Sequence, residues 1–170
     1  MEYRALRDAC STDYRLYAIV ELFLQTGIRI SELANMTMED VKKDRIAVRT
    51  YESHPEREIP LNRAARKALG RYLNVRPKSR AKYLFLTKTG KPFLVRNIRS
   101  AVERQFKLAD IQNATVNDLR HTFIAHQLMV GTPLAVISKI VGHRRISTTE
   151  KYLKYIDSKI EKENLYLEEL

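Results

Sequence analysis

Apolar residues recur at helical spacing over most of this chain, and that periodicity limits the possible folds more than any other feature of the sequence. The first run places Leu16, Ile19 and Phe23 on one face of a helix, and Gly27 ends it. Asn62 is placed to cap another helix, because its side-chain oxygen can accept an N–H from the first turn. Helices are predicted over 63–75, 95–108, 117–129, 133–141, 147–155 and 157–167, with Thr132 as the cap and Pro133 as the first residue of the fourth of these.

One region alternates between apolar and polar side chains as a half-buried strand does. Residues Asp44–Tyr51 alternate, residues 53–56 carry turn-forming side chains, and Arg57–Pro60 can return as a partner strand. A short strand is also predicted over Lys82–Leu86, followed by a turn at Gly90. The chain is therefore expected to be mainly α with a small antiparallel β-sheet (α+β).

The charge of the chain is strongly positive and unevenly distributed. Its 170 residues carry a formal net charge of +11, whereas residues 157–170 contain five acidic and two basic side chains. The positive excess therefore lies in residues 1–156, and a field of this sign favours a polyanion such as nucleic acid as the partner. A basic protein without such a partner is the alternative that charge alone leaves open.

Composition excludes several classes of protein. A chain of this length with 44% hydrophobic residues can form one domain with its own core. Cys10 is the only cysteine, so neither an intrachain disulfide nor a cysteine-built metal site is possible. No apolar run approaches the ~20 residues that span a bilayer, and the charged residues 1–15 do not resemble a secretory signal. We therefore expect a cytoplasmic protein without membrane contacts and without a metal or other cofactor.

Three short segments, far apart in the sequence, resemble the three boxes of the tyrosine recombinase (phage integrase) family. They are Thr26–Leu33 (TGIRISEL), Asn117–Phe123 (NDLRHTF) and Val141–Tyr152 (VGHRRISTTEKY). Their order and separation also resemble the family, including the nine residues from His143 to Tyr152. The resemblance covers about residues 11–156 and implies a tyrosine recombinase catalytic domain over residues 1–156.

The resemblance assigns roles to seven residues in these boxes. Two arginines would bind the phosphate, a histidine would assist them, a tyrosine would be the nucleophile, and two residues would orient these groups. Asn117 stands where the family usually has histidine or lysine, and we expect its amide to hold a phosphate oxygen by hydrogen bonding. The implied catalytic residues are Arg29, Asn117, Arg120, His143 and Tyr152, and the implied support residues are Glu32 and His121.

These groups suit the cleavage and rejoining of DNA without metal or ATP. Guanidinium groups stay cationic and can stabilise the charge that builds up on phosphate oxygens during in-line attack. A tyrosine, with a free pKa near ~10, becomes a better nucleophile beside such cations. The 3′-phosphotyrosyl ester that the resemblance implies keeps the energy of the broken bond, so the strand can be rejoined. A site-specific DNA recombinase or integrase is the function expected.

The proton donor for the leaving 5′ oxygen stays open at this level. The family has a lysine in the hairpin turn, at a position that falls near Glu52 here, and residues 50–58 contain no lysine. Arg49, His54 and Arg57 are candidate replacements, although none of them matches the family position.

Partners and assembly also follow from the resemblance. Arg96, Arg99 and Arg104 are predicted to contact double-stranded DNA. Residues 157–170 are predicted to form a C-terminal helical tail for protomer contacts in a homotetramer on DNA, with a monomer in isolation. The N-terminal DNA-clamping domain of the family is absent from this chain, so we expect a fragment of a longer protein that binds DNA weakly by itself.

Two other functions fit parts of the sequence. Residues Thr132–Tyr152 resemble a helix-turn-helix, so a non-catalytic DNA-binding module would explain the charge, although it would not explain Arg29. A type IB topoisomerase would share the chemistry and relax DNA without exchanging partners. Tyr155 is a rival nucleophile, and the two box arginines could instead form structural ion pairs. The remaining conspicuous residues are expected to be structural or solvated, namely His126 and the stripe Arg63, Lys67 and Arg71.

Overall fold

A central helix, α2 (Tyr14–Thr26), is buried along most of its length in the computed structural model, which describes residues 2–50 and 56–154. The carboxylate of Asp13 caps this helix by accepting the backbone N–H groups of Arg15 and Leu16 at 3.0 and 3.1 Å. Gly27 ends it with a φ of 59°, a left-handed conformation that favours glycine. Because α4, α5 and α6 pack around α2, most of the side chains on this helix are buried.

Seven further helices occur in the described part of the chain, and the predicted fold class is confirmed. The helices predicted over 63–75 and 95–108 have those bounds, and Asn62 caps the first of them by accepting the N–H of Ala65 at 3.0 Å. The helix predicted over 157–167 lies outside the described residues. The helices are α1 (Glu2–Ala9), α3 (Ile30–Asn35), α4 (Arg63–Val75), α5 (Val95–Leu108), α6 (Val116–Met129), α7 (Leu134–Val141) and α8 (147–154), with a 3₁₀ turn at Met38–Asp40.

The predicted hairpin forms the two-stranded antiparallel sheet, from β1 (Arg45–Val48) and β2 (Arg57–Pro60). Ile46 pairs with Ile59, and both side chains are buried in the core. Side chains two residues apart on a strand share a face, so Arg57 is directed to the same side of the sheet as Ile59. The register therefore points a charged side chain inward.

Two local predictions were wrong. Residues Lys82–Leu86 form isolated bridges rather than a strand. The backbone of Lys82 and Leu84 bonds to that of Met38 and Met36, but the carbonyl groups of Tyr83 and Leu84 accept hydrogen bonds from the Arg76 side chain, so the pairing does not continue into a ladder. Pro133, and not Thr132, is the cap of α7. The Thr132 hydroxyl instead donates to Gln127 at 2.8 Å.

Two groups of buried apolar side chains support the structure. The larger one surrounds α2 and includes the inward faces of the sheet, α4 and α5. The smaller one consists of Phe123 and Ile124 from α6 with Ile137 and Val141 from α7, and Tyr152 of α8 packs against it. The helices that carry the second and third boxes therefore share a core of their own. Within residues 2–50 and 56–154, no helix is long and apolar enough to cross a membrane.

Candidate active site

Carbonyl groups at the ends of two helices form one wall of the candidate site. Gly27 ends α2 and Gly142 ends α7, the latter with a φ of 69°. The last carbonyl groups of a helix have no partner within it and carry the negative end of the helix dipole. Here the carbonyl oxygens of Gly27, Val141 and Gly142 accept hydrogen bonds from arginine side chains.

Arg29 and Arg120 come together at these carbonyl groups. The Nη1 of Arg29 donates to the carbonyl oxygen of Val141 at 3.0 Å, and its Nη2 donates to that of Gly142 at 2.9 Å. The Nη2 of Arg120 donates to the same Val141 oxygen at 2.9 Å, and its Nη1 donates to the carbonyl of Gly27. Because one oxygen accepts from both side chains, the two guanidinium groups lie next to each other, and we call this cluster of guanidinium and carbonyl groups the basic hollow.

Burial and repulsion from neighbouring arginines act on both guanidinium groups. Burial, followed by the nearby charge of Arg29, lowers the pKa of Arg120 to about 9. Burial also lowers the pKa of Arg29, and the attraction of Glu32 only partly opposes this. Each group still has a positive charge at neutral pH, so the hollow attracts an anion.

Glu32 holds Arg29 and is itself held by Arg57. Its Oε2 accepts the backbone N–H of Arg29 at 2.9 Å, and its Oε1 lies 3.2 Å from the Nη1 of the same arginine. Arg57 donates to Oε1 and Oε2 at 2.8 and 2.9 Å, and its Nε donates to the carbonyl of Ile140 at 2.6 Å. Burial alone would raise the pKa of Glu32, but these hydrogen bonds outweigh it and lower that pKa. The predicted role of Glu32 in orienting Arg29 therefore depends also on Arg57 of β2.

Donor groups remain on both arginines of the hollow. A guanidinium has five N–H bonds, and the hydrogen bonds found within the described residues occupy three of them on Arg29 and two on Arg120. The side chain of Arg29 is 22% exposed, so an anion can reach it from solvent. The carbonyl groups thus fix the orientation of each guanidinium and leave donors for an anion.

His143 follows Gly142 and lies beside the hollow. Its Nδ1 is 2.8 Å from the hydroxyl of Thr149, a residue of α8 with no exposed surface. Burial, followed by the positive charges of Arg120, Arg29 and Arg57, lowers the pKa of His143 to about 4. The imidazole is therefore neutral at physiological pH.

Tyr152 lies on α8 between two histidines. Its ring centroid is 6.4 Å from that of His143 and 5.7 Å from that of His121, and its hydroxyl is 3.4 Å from the Nδ1 of His121. Burial raises the pKa of Tyr152, and the charge of Arg120 opposes this effect. The phenol is thus close enough to the hollow for Arg120 to stabilise its ionised form.

Two clefts border the site. One, of about 1000 Å³, is lined by Tyr152 and His121 together with side chains of α1 and α2. The other, of about 750 Å³, lies between the hairpin and α7 and is lined by Arg57, Gly142 and His143. Tyr152 and His121 are therefore open to solvent through the first cleft and His143 through the second, whereas Arg120 is only 8% exposed.

The other predicted residues differ in exposure, and some lie outside the described chain. Asn117 is exposed on α6, one turn before Arg120. Arg49 donates to the carboxylates of Asp40 and Glu39, and Arg57 is only 5% exposed in its side chain, which argues against either as the proton donor. Arg96, Arg99 and Arg104 are exposed on α5, whereas Glu52, His54, Tyr155 and residues 157–170 lie outside the described residues.

Sequence reasoning missed two residues that support this geometry. The sequence suggests Arg57 only as a proton donor, although its place two residues before the buried Ile59 on a strand predicts an inward side chain. The resemblance assigns Thr149 no role, although this residue lies one helical turn before Tyr152. No group of three or more His, Cys, Asp or Glu side chains that could hold a metal ion is found in residues 2–50 and 56–154.

Comparison with known proteins assigns the chain to a family. Residues 1–158 match the phage integrase family. The chain belongs to this family. The tyrosine recombinase XerC of Caldanaerobacter subterraneus subsp. tengcongensis is 36% identical over 152 residues, which cover 86% of this chain and 43% of that protein. This chain thus spans about half the length of the curated relatives that it matches.

Solved structures show the same catalytic-domain fold. The crystal structure of XerA recombinase matches with a TM-score of 0.82 and 34% identity, covering 89% of this chain and 55% of that one. The Tn1549 transposon integrase in complex with circular intermediate DNA matches with a TM-score of 0.73 and 24% identity, covering 80% of this chain and 54% of that one. The tyrosine recombinase fold expected from the three boxes is thereby confirmed.

Proposed function

We propose that this chain is the catalytic part of a site-specific DNA recombinase or integrase that cleaves and rejoins DNA through a 3′-phosphotyrosyl bond at Tyr152. The observation that carries the proposal is the shared Val141 carbonyl, which brings the guanidinium groups of Arg29 and Arg120 together beside His143 and Tyr152. Membership of the phage integrase family supports it. No metal or ATP enters the proposed reaction.

The two arginines would bind the non-bridging oxygens of one phosphodiester. Attack by the Tyr152 oxygen forms the new P–O bond and releases the phenolic proton, while the bond to the 5′ oxygen breaks and that oxygen takes up a proton. Charge increases on the non-bridging oxygens in the transition state. Preorganised donors stabilise this charge most in the transition state, and the loss of one such donor costs about 3–4 kcal/mol in comparable sites. The helix-end carbonyl groups supply the preorganisation, because they hold each guanidinium before DNA arrives.

In this mechanism Tyr152 leaves its contact with His121 and turns toward the phosphate. The His121 contact is 3.4 Å long and weak by hydrogen-bond standards, so little free energy opposes that rotation. His121 therefore acts as a support residue for Tyr152 in the DNA-free protein. His143 would donate a hydrogen bond to the phosphate, and Asn117 would hold an oxygen from the exposed end of α6.

Double-stranded DNA is the proposed partner. The basic excess of the chain and the DNA complex of the Tn1549 integrase support it. α5 packs against α3 and α6, so Arg96, Arg99 and Arg104 are on an element that adjoins both arginine-bearing segments. Binding through such contacts should weaken steeply with added salt.

Assembly and organisation are proposed on the resemblance of the boxes. Residues 1–156 form the catalytic domain, and the tail 157–170 joins protomers in a homotetramer on DNA that is a monomer without it. Deletion of residues 157–170 should impair pairing of two DNA sites and leave the Tm of the domain unchanged. The cytoplasm is the proposed place of action.

Covalent capture of DNA tests the proposed function. The probe is a pool of nicked duplexes with randomised sequence, incubated with the full chain at low salt and resolved on a denaturing gel. Wild type should form a covalent adduct, whereas Tyr152→Phe should form none. Tyr14→Phe is the matched control because Tyr14 is an exposed tyrosine of α2, and Tyr155→Phe tests the rival nucleophile. Arg29→Ala or Arg120→Ala should slow adduct formation by about 10²–10³-fold.

Each outcome separates the candidate functions. A non-catalytic DNA-binding module would retain DNA in native gels and form no adduct under denaturing conditions. A type IB topoisomerase would form the adduct and relax supercoiled DNA without joining strands from two different duplexes. Adduct formation by Tyr152→Phe at the wild-type level would overturn the assignment of the nucleophile.

A further inference from the structure

The hydroxyl of Thr149 links the loop of His143 to the helix of Tyr152. Thr149 is completely buried, and its Oγ1 lies 2.8 Å from the Nδ1 of His143. The backbone N–H of Thr149 donates to the carbonyl of Ile146, so this residue is fixed within the first turns of α8. Tyr152 follows three residues later on the same helix. One hydrogen bond therefore sets both the rotation of the His143 ring and its position relative to the phenol.

The bond also bears on which ring nitrogen of His143 carries hydrogen. A neutral imidazole has one N–H donor and one bare nitrogen that accepts, and a partner at one nitrogen fixes the state of the other. The pKa of His143 is lowered to about 4, first by burial and then by the surrounding guanidinium groups, so the neutral ring is the relevant form. Two tautomers remain, and Thr149 can act as donor in one and as acceptor in the other.

The chemistry of the hollow distinguishes these two tautomers. Arg29, Arg57 and Arg120 are donors that cannot accept a hydrogen bond, and an anionic phosphate presents only acceptors. His143 can contribute to phosphate binding only if its other ring nitrogen, Nε2, carries hydrogen. That arrangement requires Nδ1 to be the acceptor and the Thr149 hydroxyl to be the donor.

We propose that Thr149 is a positioning residue that donates its hydroxyl hydrogen to Nδ1 of His143 and thereby holds the ring as the Nε2–H tautomer, a neutral hydrogen-bond donor to the phosphate. This inference rests on the proposed function, because the phosphate is the DNA backbone. It also excludes His143 in this state as the base that removes the proton of Tyr152, since its Nε2 is already protonated.

Ring nitrogen chemical shifts of the DNA-free full chain test the tautomer directly. His143 is assigned as the histidine whose signals vanish in His143→Gln. In wild type at neutral pH, Nδ1 should appear as a bare nitrogen and Nε2 as a protonated one. Thr149→Val removes the hydroxyl and nearly keeps the shape, so its His143 signals should shift toward a mixture of both tautomers. Thr149→Ser keeps the hydroxyl and should retain the wild-type pattern.

Single-turnover cleavage tests the consequence for the reaction. The substrate is a nicked duplex recovered by covalent capture with wild type. Thr149→Val should cleave about tenfold to a hundredfold more slowly, the range seen when partners that orient metal-bound histidines are removed. Thr149→Ser should recover most of the rate, and DNA affinity should change far less than the cleavage rate in all variants. Thr148→Val is the matched control, because Thr148 is an exposed threonine next to Thr149 on α8.

Melting curves are recorded for every variant, and Thr149→Ala serves as a second removal of the hydroxyl if valine unfolds the chain. Wild-type cleavage by both Thr149→Val and Thr149→Ala would overturn the inference and leave the proposed function intact. A protonated Nδ1 in wild type would also overturn it. A wild-type chain that forms no DNA adduct would overturn the proposed function and this inference together.

Discussion

Replacement of Arg57 by methionine should destabilise the protein strongly, although the burial of Arg57 argues against its predicted role as the proton donor. Arg57 donates two hydrogen bonds to Glu32 and one to the carbonyl of Ile140, and its side chain is 5% exposed. Methionine keeps much of the aliphatic stem and removes every donor. Glu32, which is 1% exposed in its side chain, then loses its strongest partner while it remains buried.

The magnitude follows from the environment of Glu32. Removing one partner of a buried ion pair typically costs about 3–5 kcal/mol, because the other charge stays buried without compensation. Glu32 keeps the backbone N–H of Arg29 at 2.9 Å and its side chain at 3.2 Å, so we expect the lower end, about 3 kcal/mol. For a domain of this size, 3 kcal/mol corresponds to a fall in Tm of about 6–12 °C.

Arg45→Met is the matched control for this measurement. Arg45 is on the other strand of the hairpin and also contacts two carboxylates, those of Asp44 and Glu58, but its side chain is 46% exposed. Exposed ion pairs contribute little to stability. Urea unfolding followed by circular dichroism should show a clear loss for Arg57→Met and almost none for Arg45→Met. Equal unfolding midpoints for the two variants would refute the reasoning from burial.

Three further perturbations test other parts of the structure. Gly27→Ala should cost about 2–4 kcal/mol in urea unfolding, because its Cβ would lie 2.5 Å from the Phe123 ring at a φ of 59°, whereas Gly70→Ala on the open face of α4 should stabilise by about 0.5–1 kcal/mol. The pKa of His143 is lowered from 6.5 to about 4, so the unfolded protein binds more protons than the folded protein between these pH values. The stability of DNA-free wild type should therefore fall as pH drops from about 6.5 to 4. In urea unfolding at graded pH, His143→Gln should show a weaker dependence of stability on pH. Cys10 is 1% exposed and burial raises its pKa to about 12, so iodoacetamide at pH 8 should label it in urea and not in the native protein, as measured by mass spectrometry.

Each of these predictions has a contradicting result. A Gly27→Ala variant as stable as Gly70→Ala would mean that the Phe123 contact relaxes at no cost. Parallel profiles of stability against pH for wild type and His143→Gln would mean that the pKa of the His143 imidazole is not lowered in the folded protein. Rapid labelling of Cys10 in native buffer would mean that α1 opens far more often than its burial implies.

The sequence by itself determined the features that depend on neighbours along the chain. The bounds of α4 and α5, the Asn62 cap and the Gly27 stop were predictable, because helical periodicity and caps act over three or four residues. The same holds for the hairpin, whose alternation is visible locally. The segment Lys82–Leu86 was wrongly predicted to be a strand. Two of its carbonyl groups accept hydrogen bonds from the side chain of Arg76, and the alternation of residues along the segment does not predict that contact.

Only the tertiary structure decided how the boxes meet. The three motifs identify Arg29, Arg120 and His143 as site residues. That both arginines donate to the Val141 carbonyl depends on how α2, α6 and α7 pack. The inward direction of Arg57 depends on strand register, and the Thr149 contact depends on the path of the loop after Gly142. The distance between these residues along the chain does not determine whether or how their side chains meet. Their geometry is therefore set by the packing of helices around two cores, which the sequence specifies only through the fold as a whole.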